Sequence, residues 1–383
     1  MDNVDRSRLT ILFATPATPF SPRSGAEQRS ALMYEALTLI GEVDILILGE
    51  GRPTKPRITQ LFNSRVMIEV QKQGSRGFKR FHPDLHFSQT LEALLPRSIQ
   101  TYDLVVGRYL WPISQLRIPA NIRKIVDLDD FKYRYSREAG RSASVFAARI
   151  KKRFAHWLAC RQLHKYSGAF VVNALDHREI TQLPTCLLPN IVYGALDELP
   201  ASVSCEPNLL FVGSLWYHPN AEGVDWFLAH VWPAVRRVIS QAKLTLIGAA
   251  PPEVRARWEQ HAGVSAPGFV ENLGAAYRSA ALAIVPIHIG GGSNIKVLEA
   301  LGYGCPCIVT RLTADAFTGQ LAHRQHFLVA DNAHQFIQLV MDVLQHPHAY
   351  RGMAKAGYQA VRGDFSPAKF KAEVTRFVQE VLN

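Results

Sequence analysis

Short apolar runs of strand length alternate with amphipathic stretches of helical length along the whole chain, and that alternation leaves few folds open. Candidate strands fall at 10–14, 43–48, 66–70, 104–106, 124–128 and 169–172, with helical periodicity at 26–40, 88–95, 138–166 and 175–181 between them. A second cycle places strands at 209–212, 244–247, 282–285 and 307–309 and helices at 220–239 and 294–302. Strands that are apolar at successive positions must be buried on both faces, and the intervening helices supply the cover, so the pattern specifies parallel sheets in an α/β fold. At 383 residues the chain exceeds what one core usually supports. Two doubly wound, Rossmann-like domains are expected, 1–190 and 191–365, with the proline-punctuated stretch 189–207 as linker. The last segment, 366–383, is amphipathic and is expected to pack back on the first domain.

No window reaches the roughly 18 apolar residues of a membrane span, and the apolar run 9–14 is too short for a signal-peptide core. Five cysteines without framework spacing suit a reducing compartment, so a cytoplasmic protein is expected. Cys305 and Cys307 face opposite sides of one strand, and no metal site is expected there. The net charge of +11 belongs entirely to residues 1–190, and within them 123–165 holds twelve basic residues against four acidic ones. Such a surface attracts phosphates, either of an anionic membrane face or of nucleic acid.

One segment carries most of the chemistry, Gly290-Gly291-Gly292-Ser293-Asn294-Ile295-Lys296-Val297-Leu298-Glu299. Its glycines lie between a buried strand and a helix, where backbone N–H groups at the positive end of a helix dipole meet an anion that no side chain keeps away. Ser293 is the expected N-cap. Lys296 falls in the first helical turn, where its charge opposes the dipole unless something anionic binds there, and Glu299 shares its face. A second glycine-containing loop, 16–25, follows the first strand and ends at Gly25. In the first domain Tyr109 and Trp111 follow a strand and are candidates for stacking on a ligand. His82 and His86 lie on a first-domain loop and are candidates for ligand contact, and His288 is either a pocket residue or a packing one. Trp216, Trp226 and Trp232 read as core.

These motifs, with Phe211-Val212-Gly213-Ser214-Leu215, Leu244-Thr245-Leu246-Ile247-Gly248, Pro267-Gly268-Phe269-Val270 and Phe327-Leu328-Val329-Ala330-Asp331, resemble the retaining glycosyltransferases of the GT-B fold, family 4. The resemblance covers most of the chain and implies two Rossmann-like domains facing a cleft. The second domain would hold a nucleotide-diphosphate sugar as co-substrate, with no further cofactor, and the first a glycan or lipid-linked acceptor. By the same resemblance Lys296 meets the diphosphate and Glu299 the ribose hydroxyls, and these are the catalytic candidates. Gly213, Phe269, Val270, Gly291, Gly292, Ser293 and Asn294 complete the donor site, and Gly25 lets the first loop approach the phosphates. Retention would let the leaving diphosphate take the acceptor proton.

Asp127-Leu128-Asp129-Asp130 has the spacing of a metal-binding Asp-x-Asp but ends a first-domain strand, on the acceptor side. Metal-independent transfer is therefore expected, with Asp129 and Asp130 as acceptor contacts or loop caps and Arg108 and Tyr109 beside them. Two departures stand out. Gly291 occupies the place of the first of two family glutamates, and 214–218 lacks the basic residue that often follows that strand. Diphosphate charge then rests on Lys296, with Arg29 and Arg108 as helpers. The role this implies is cell-surface polysaccharide or glycoconjugate assembly, at the inner face of a membrane. A nucleotide-sugar epimerase of the same fold is the alternative, and a basic nucleic-acid-binding protein is a remoter one. Nucleic acid is not an expected partner, because few aromatics interleave the basic residues, and no G-x-G-x-x-G follows the first strand to hold a dinucleotide.

Overall fold

The computed structural model describes residues 8–20, 25–50, 55–61, 66–72, 89–129, 131–132, 134–135, 150, 153–154, 156–192, 199 and 203–383. His82, His86, Asp130, most of loop 21–25 and most of the helix expected at 138–166 lie outside these residues. The chain forms two compact units, one of Met1–Phe131, Ser142–Pro189 and Pro367–Asn383, the other of Lys132–Arg141 and Asn190–Ser366.

Sixteen strands are described in chain order. They are β1 (Leu9–Thr15), β2 (Gly41–Glu50), β3 (Arg57–Gln60), β4 (Val66–Lys72), β5 (Leu104–Arg108), β6 (Arg123–Leu128), β7 (Arg134–Tyr135) and β8 (Gly168–Val171). There follow β9 (Thr185–Leu187), β10 (Asn208–Val212), β11 (Lys243–Ile247), β12 (Val264–Gly268), β13 (Leu282–Val285), β14 (Ile289–Gly290), β15 (Cys307–Thr310) and β16 (Leu328–Ala330).

In the first unit the sheet order is β3-β4-β2-β1-β5-β6-β8-β9, parallel except for the edge strand β3. Side chains alternate across it, so Leu12 and Ala14 of β1 join Leu46, Val105 and Ile113 in one core cluster. The helices Gly25–Thr38 and Pro367–Leu382 pack on each other, with Arg29 over the Phe370 ring at 5.5 Å and Lys371 bound to Glu35 at 2.7 Å. Phe377 of the last helix meets Phe170 of β8 edge-on at 5.1 Å. A side chain at Gly168 would come within 2.8 Å of Phe377, so the crossing needs glycine there. Each fully buried phenylalanine stabilises the unit by about 1.5–3 kcal/mol.

The second unit has a fully parallel sheet, β12-β11-β10-β13-β15-β16. From β10 the chain builds outward to β12 and then returns to the other side of β10 at β13. The reversal creates a switch point between β10 and β13, where ligands of open parallel sheets bind beyond the carboxyl ends of strands. The single helix expected at 220–239 is two, His218–His230 and Trp232–Val238. Pro233 is the reason, because proline suits the first turn of a new helix and cannot donate within a continuing one. The pairing of β7 with β14, Gly290 opposite Arg134, ties 132–141 to the second unit and removes it from the basic segment assigned above to the first domain.

Candidate functional site

The loops that follow β10, β11 and β12 are drawn together by backbone contact. Gly213 N–H donates to the Ile247 carbonyl at 3.0 Å, and Gly248 N–H to the Gly268 carbonyl at 2.9 Å. Gly248 has φ +143°, and a side chain on it would lie 1.8 Å from the Gly213 carbonyl oxygen. Gly213 itself faces the Lys296 stem, since a Cβ added there would sit 3.2 Å from Lys296 Cε. The loop after β10 is therefore stripped of side chains where Lys296 crosses it. Asn220 steadies that loop by donating from Nδ2 to the Ser214 carbonyl at 2.9 Å.

The cradle after β13 is built on left-handed backbone. Gly290 has φ +137°, Gly292 φ +73° and Asn294 φ +45°, and a non-glycine residue in that region marks strain held by its surroundings. Asn294 is the residue before the helix Ile295–Gly302 and makes no side-chain capping bond. The expected Ser293 cap is thus corrected. Capping requires an extended residue at the helix start, whereas Asn294 is left-handed and the buried Ser293 hydroxyl accepts from Asn190 N–H at 3.3 Å. The first-turn amides keep no side-chain cap, the condition under which a helix end binds an anion.

Lys296 lies half-buried in that first turn with Nζ 3.4 Å from Asn294 Oδ1. Glu299 accepts from the Tyr277 hydroxyl at 3.4 Å. Tyr277, from the helix Leu273–Ser279, is buried and stacks on Tyr303 with centroids 5.1 Å apart at 16°. Burial raises the Glu299 carboxyl above the ordinary glutamate value, and Lys296 and the Tyr277 hydrogen bond offset this only in part. A carboxylate so held seeks further donors, as a diol would supply. The loop after β12 shows Phe269 79% exposed, with Val270 half-buried. Arg255 supports that loop from below, its Nη1 3.1 Å from where a Gly268 side chain would begin.

The second unit also matches a known family. Residues 206–346 match the model of glycosyl transferases group 1. No curated protein matches the chain at a significant level. Among solved structures, sucrose-phosphate synthase from Thermosynechococcus elongatus superposes with a TM-score of 0.68 at 17% identity, covering 98% of this chain and 99% of that one. A trehalose-6-phosphate protein from E. coli bound with UDP-2-fluoro glucose gives 0.65 at 9% identity, with 98% and 99% covered. The pneumococcal O-GlcNAc transferase in complex with UDP and GlcNAc gives 0.59 at 12%, again with 98% and 99% covered. These likenesses show the fold, two Rossmann-like domains of the GT-B class.

The other expected site residues fall differently. In the first unit Asp127, at the end of β6, receives Arg29 through two bonds of 2.6 and 2.8 Å and Arg108 at 3.1 Å, all three side chains being buried. Burial pushes the Asp127 carboxyl up, but Arg29 and then Arg108 more than offset it and leave it below the ordinary aspartate value. Arg29 and Arg108 are committed to this cluster and are not the diphosphate helpers expected above. Arg108 also donates to Asp129 at 3.1 Å and lies over the Tyr109 ring at 5.3 Å. Tyr109 has φ 62° and brings its hydroxyl to 3.5 Å from Asp129. Arg108, Tyr109 and Asp129 therefore form one group at the switch point between β1 and β5. Gly25 begins a helix, and a side chain there would meet nothing within 4 Å.

His288 is buried, its ring 4.2 Å from Trp226, and burial with the nearby His230 pushes its pKa down to about 4. It is a neutral packing residue. Trp226 and Trp232 are core, but Trp216 is 68% exposed on the loop after β10, a correction to its expected burial. Among the described residues no three His, Cys, Asp or Glu side chains converge as metal ligands would. Sequence reasoning missed Tyr277, Asn220 and Arg134. Only the two-residue pairing of β7 with β14 sets the half-buried Arg134 beside the cradle glycines.

Proposed function

We propose that the chain is a glycosyltransferase that takes a sugar from a nucleotide-diphosphate donor held on the second unit and passes it to a hydroxyl acceptor. The observation that carries this reading is the uncapped start of the helix Ile295–Gly302, with Lys296 crossing Gly213 and Glu299 steadied by Tyr277. The family match over 206–346 supports it, as do relatives in fold that are bound to UDP or a UDP sugar.

In this reading the diphosphate lies on the first-turn amides, with Lys296 on it and Arg134 beside it. Glu299 accepts from the ribose hydroxyls, and the exposed loop at Phe269 and Val270 meets the base. Breaking the sugar's carbon–oxygen bond transfers negative charge to the diphosphate, and fixed N–H dipoles and ammonium groups stabilise that charge more in the transition state than before it. These groups perform the service without a metal. The leaving phosphate oxygen accepts the proton of the incoming hydroxyl, and the configuration at the anomeric carbon is retained. The acceptor side is the Arg108, Tyr109 and Asp129 group. A carboxylate and a phenol suit a sugar hydroxyl, and the product belongs to cell-surface polysaccharide or glycoconjugate assembly on the cytoplasmic side.

A panel of sugar nucleotides in a thermal-unfolding assay tests the donor site. A ligand at a hundred times its Kd stabilises the fold by about 2.7 kcal/mol, and one nucleotide class should raise the Tm of the wild type and fail to raise that of Lys296→Ala. A panel that leaves the wild type unmoved, or moves both proteins equally, removes the assignment. Incubating the chosen donor without acceptor separates transfer from epimerisation, which would release an altered sugar nucleotide in quantity.

A further inference from the structure

Three basic side chains of the first unit stand round one hollow. A cavity of about 510 Å3 opens where the 113–119 turn, the start of β6 and the 162–166 turn meet, with Arg117, Lys124 and Lys165 standing round a floor that includes Ile113, Leu116 and Tyr166. It lies toward the amino ends of β6 and β8, whereas Asp127 lies toward the carboxyl end of β6. Lys124 is held below the ordinary lysine value by burial and then by Lys165. An anion bound there would favour the charged form of Lys124.

Immediately before this hollow, residues 156–160 are helical. Phe154, Trp157 and Arg161 follow at i, i+3 and i+7, the spacing of one helical face. Phe154 and Trp157 are 42% and 49% exposed, stacked at 5.7 Å and 25°, with Arg161 5.0 Å from the Trp157 centroid. The inward face is anchored elsewhere, His156 meeting Phe131 at 4.8 Å and Leu163 lying in the core. Rotation of the helix to hide the aromatic pair is therefore blocked by its own packing. Exposed aromatics in line with cations are what the boundary between lipid headgroups and acyl chains selects.

We propose that this face of the first unit docks on an anionic phospholipid bilayer, one lipid phosphate entering the hollow between Arg117, Lys124 and Lys165 while Phe154 and Trp157 enter the headgroup boundary. Charge complementarity decides the occupant, since the part of 123–165 that belongs to the first unit carries eight basic residues against three acidic. The apolar floor gives the lipid's glycerol and first methylenes a place that a free phosphate does not need. A nucleic acid would stack bases on ring faces, and the Trp157 ring already carries Phe154 and Arg161. The proposal stands whether or not the second unit binds a donor, and its test involves no turnover.

Flotation of the full chain with phosphatidylcholine vesicles, and with vesicles in which roughly a third of the lipid is phosphatidylglycerol, reads the docking directly. Flotation is expected with the acidic vesicles alone and should weaken as salt rises. Lys165→Glu and Trp157→Ser should each lower it by about tenfold while far-UV circular dichroism stays that of the wild type. Brominated acyl chains should quench tryptophan emission in the wild type and less in Trp157→Phe. Equal flotation on neutral vesicles, or wild-type flotation of Lys165→Glu, overturns the proposal. So does displacement from acidic vesicles by inorganic phosphate, which would make the hollow a free-anion site, or by a single-stranded oligonucleotide, which would give the surface to nucleic acid.

Discussion

Both units place ionic side chains beyond the carboxyl ends of their strands, next to the switch point of the sheet, yet they use them in opposite ways. In the first unit two arginines and two aspartates close on one another, Asp127 binding Arg29 and Arg108 and Asp129 taking a further bond from Arg108. Their charges cancel inside the protein. In the second unit Lys296 meets an amide oxygen, Glu299 a phenol, and the helix start has no side-chain cap. The Arg29, Asp127 and Arg108 core of the first arrangement is complete as it stands, with Asp129 and Tyr109 left at its edge, whereas the second is completed by an anion and a pair of hydroxyls. Similar residue types at equivalent places in two Rossmann-like units thus read as fold in one and as binding in the other, and the partners decide which.

The largest effect should come from breaking the closed arrangement. Asp127→Asn would leave the buried Arg29 guanidinium without its carboxylate and Arg108 with Asp129 alone, and should lower stability by about 3–5 kcal/mol in urea unfolding. Because the Asp127 carboxyl titrates below its unfolded value, its contribution is present above about pH 3.9 and is lost only as the pH falls through the lower folded value. Acid unfolding of the wild type should therefore keep this contribution through pH 4, and the gap between wild type and Asp127→Asn should close below it. A variant as stable as the wild type would refute the structural reading of the cluster.

Lys296→Ala should show the reverse profile. Loss of a cation that acts on the leaving diphosphate is expected to lower kcat by about 10²–10³-fold, with a change in unfolding free energy within about 0.5 kcal/mol. A stability loss comparable to that of Asp127→Asn would mean that the two ionic sites are alike after all. Arg134→Ala is the next step down. Its reach to the diphosphate is a single charged contact, so donor affinity measured by calorimetry should fall about tenfold, while an unchanged Kd would return Arg134 to the basic surface.

The same contrast explains what could be read from the sequence. The strands were legible because β1, β5, β6, β10 and β13 are buried on both faces and so appear as continuous apolar runs. The 290–302 cradle was legible because its glycines, lysine and glutamate are local in the chain. What depended on distant pairing was not. Arg29 and Arg108 look like spare cations until Asp127, 98 and 19 residues away, is seen to hold them. Arg134 is one of a dozen basic residues until β7 pairs with β14. Tyr277 carries no motif, since its part is set by the crossing of two helices and by a stack on Tyr303. Ser293 was misplaced as a cap because composition shows a capping residue and not the left-handed backbone that moves the cap to Asn294.

The smallest expected effect is also the most diagnostic of Tyr277. Tyr277→Phe removes one hydroxyl and keeps the ring on Tyr303, so donor affinity should fall by about 0.5–1.5 kcal/mol, the net worth of one hydrogen bond. A merely structural tyrosine could produce that loss, but it would not move the pH profile. Glu299 must be ionised to accept from the ribose, and burial already raises its carboxyl above the ordinary value while the Tyr277 bond acts in the other direction. Donor affinity should therefore decline on acidification, beginning above the pH at which an exposed glutamate titrates. Without the Tyr277 hydroxyl the carboxyl rises further, and the acid limb of the affinity profile should shift to higher pH. Glu299→Gln should abolish that limb in both backgrounds, because an amide does not titrate. If Tyr277→Phe weakens binding equally at every pH, the hydroxyl positions the helix and not the carboxylate.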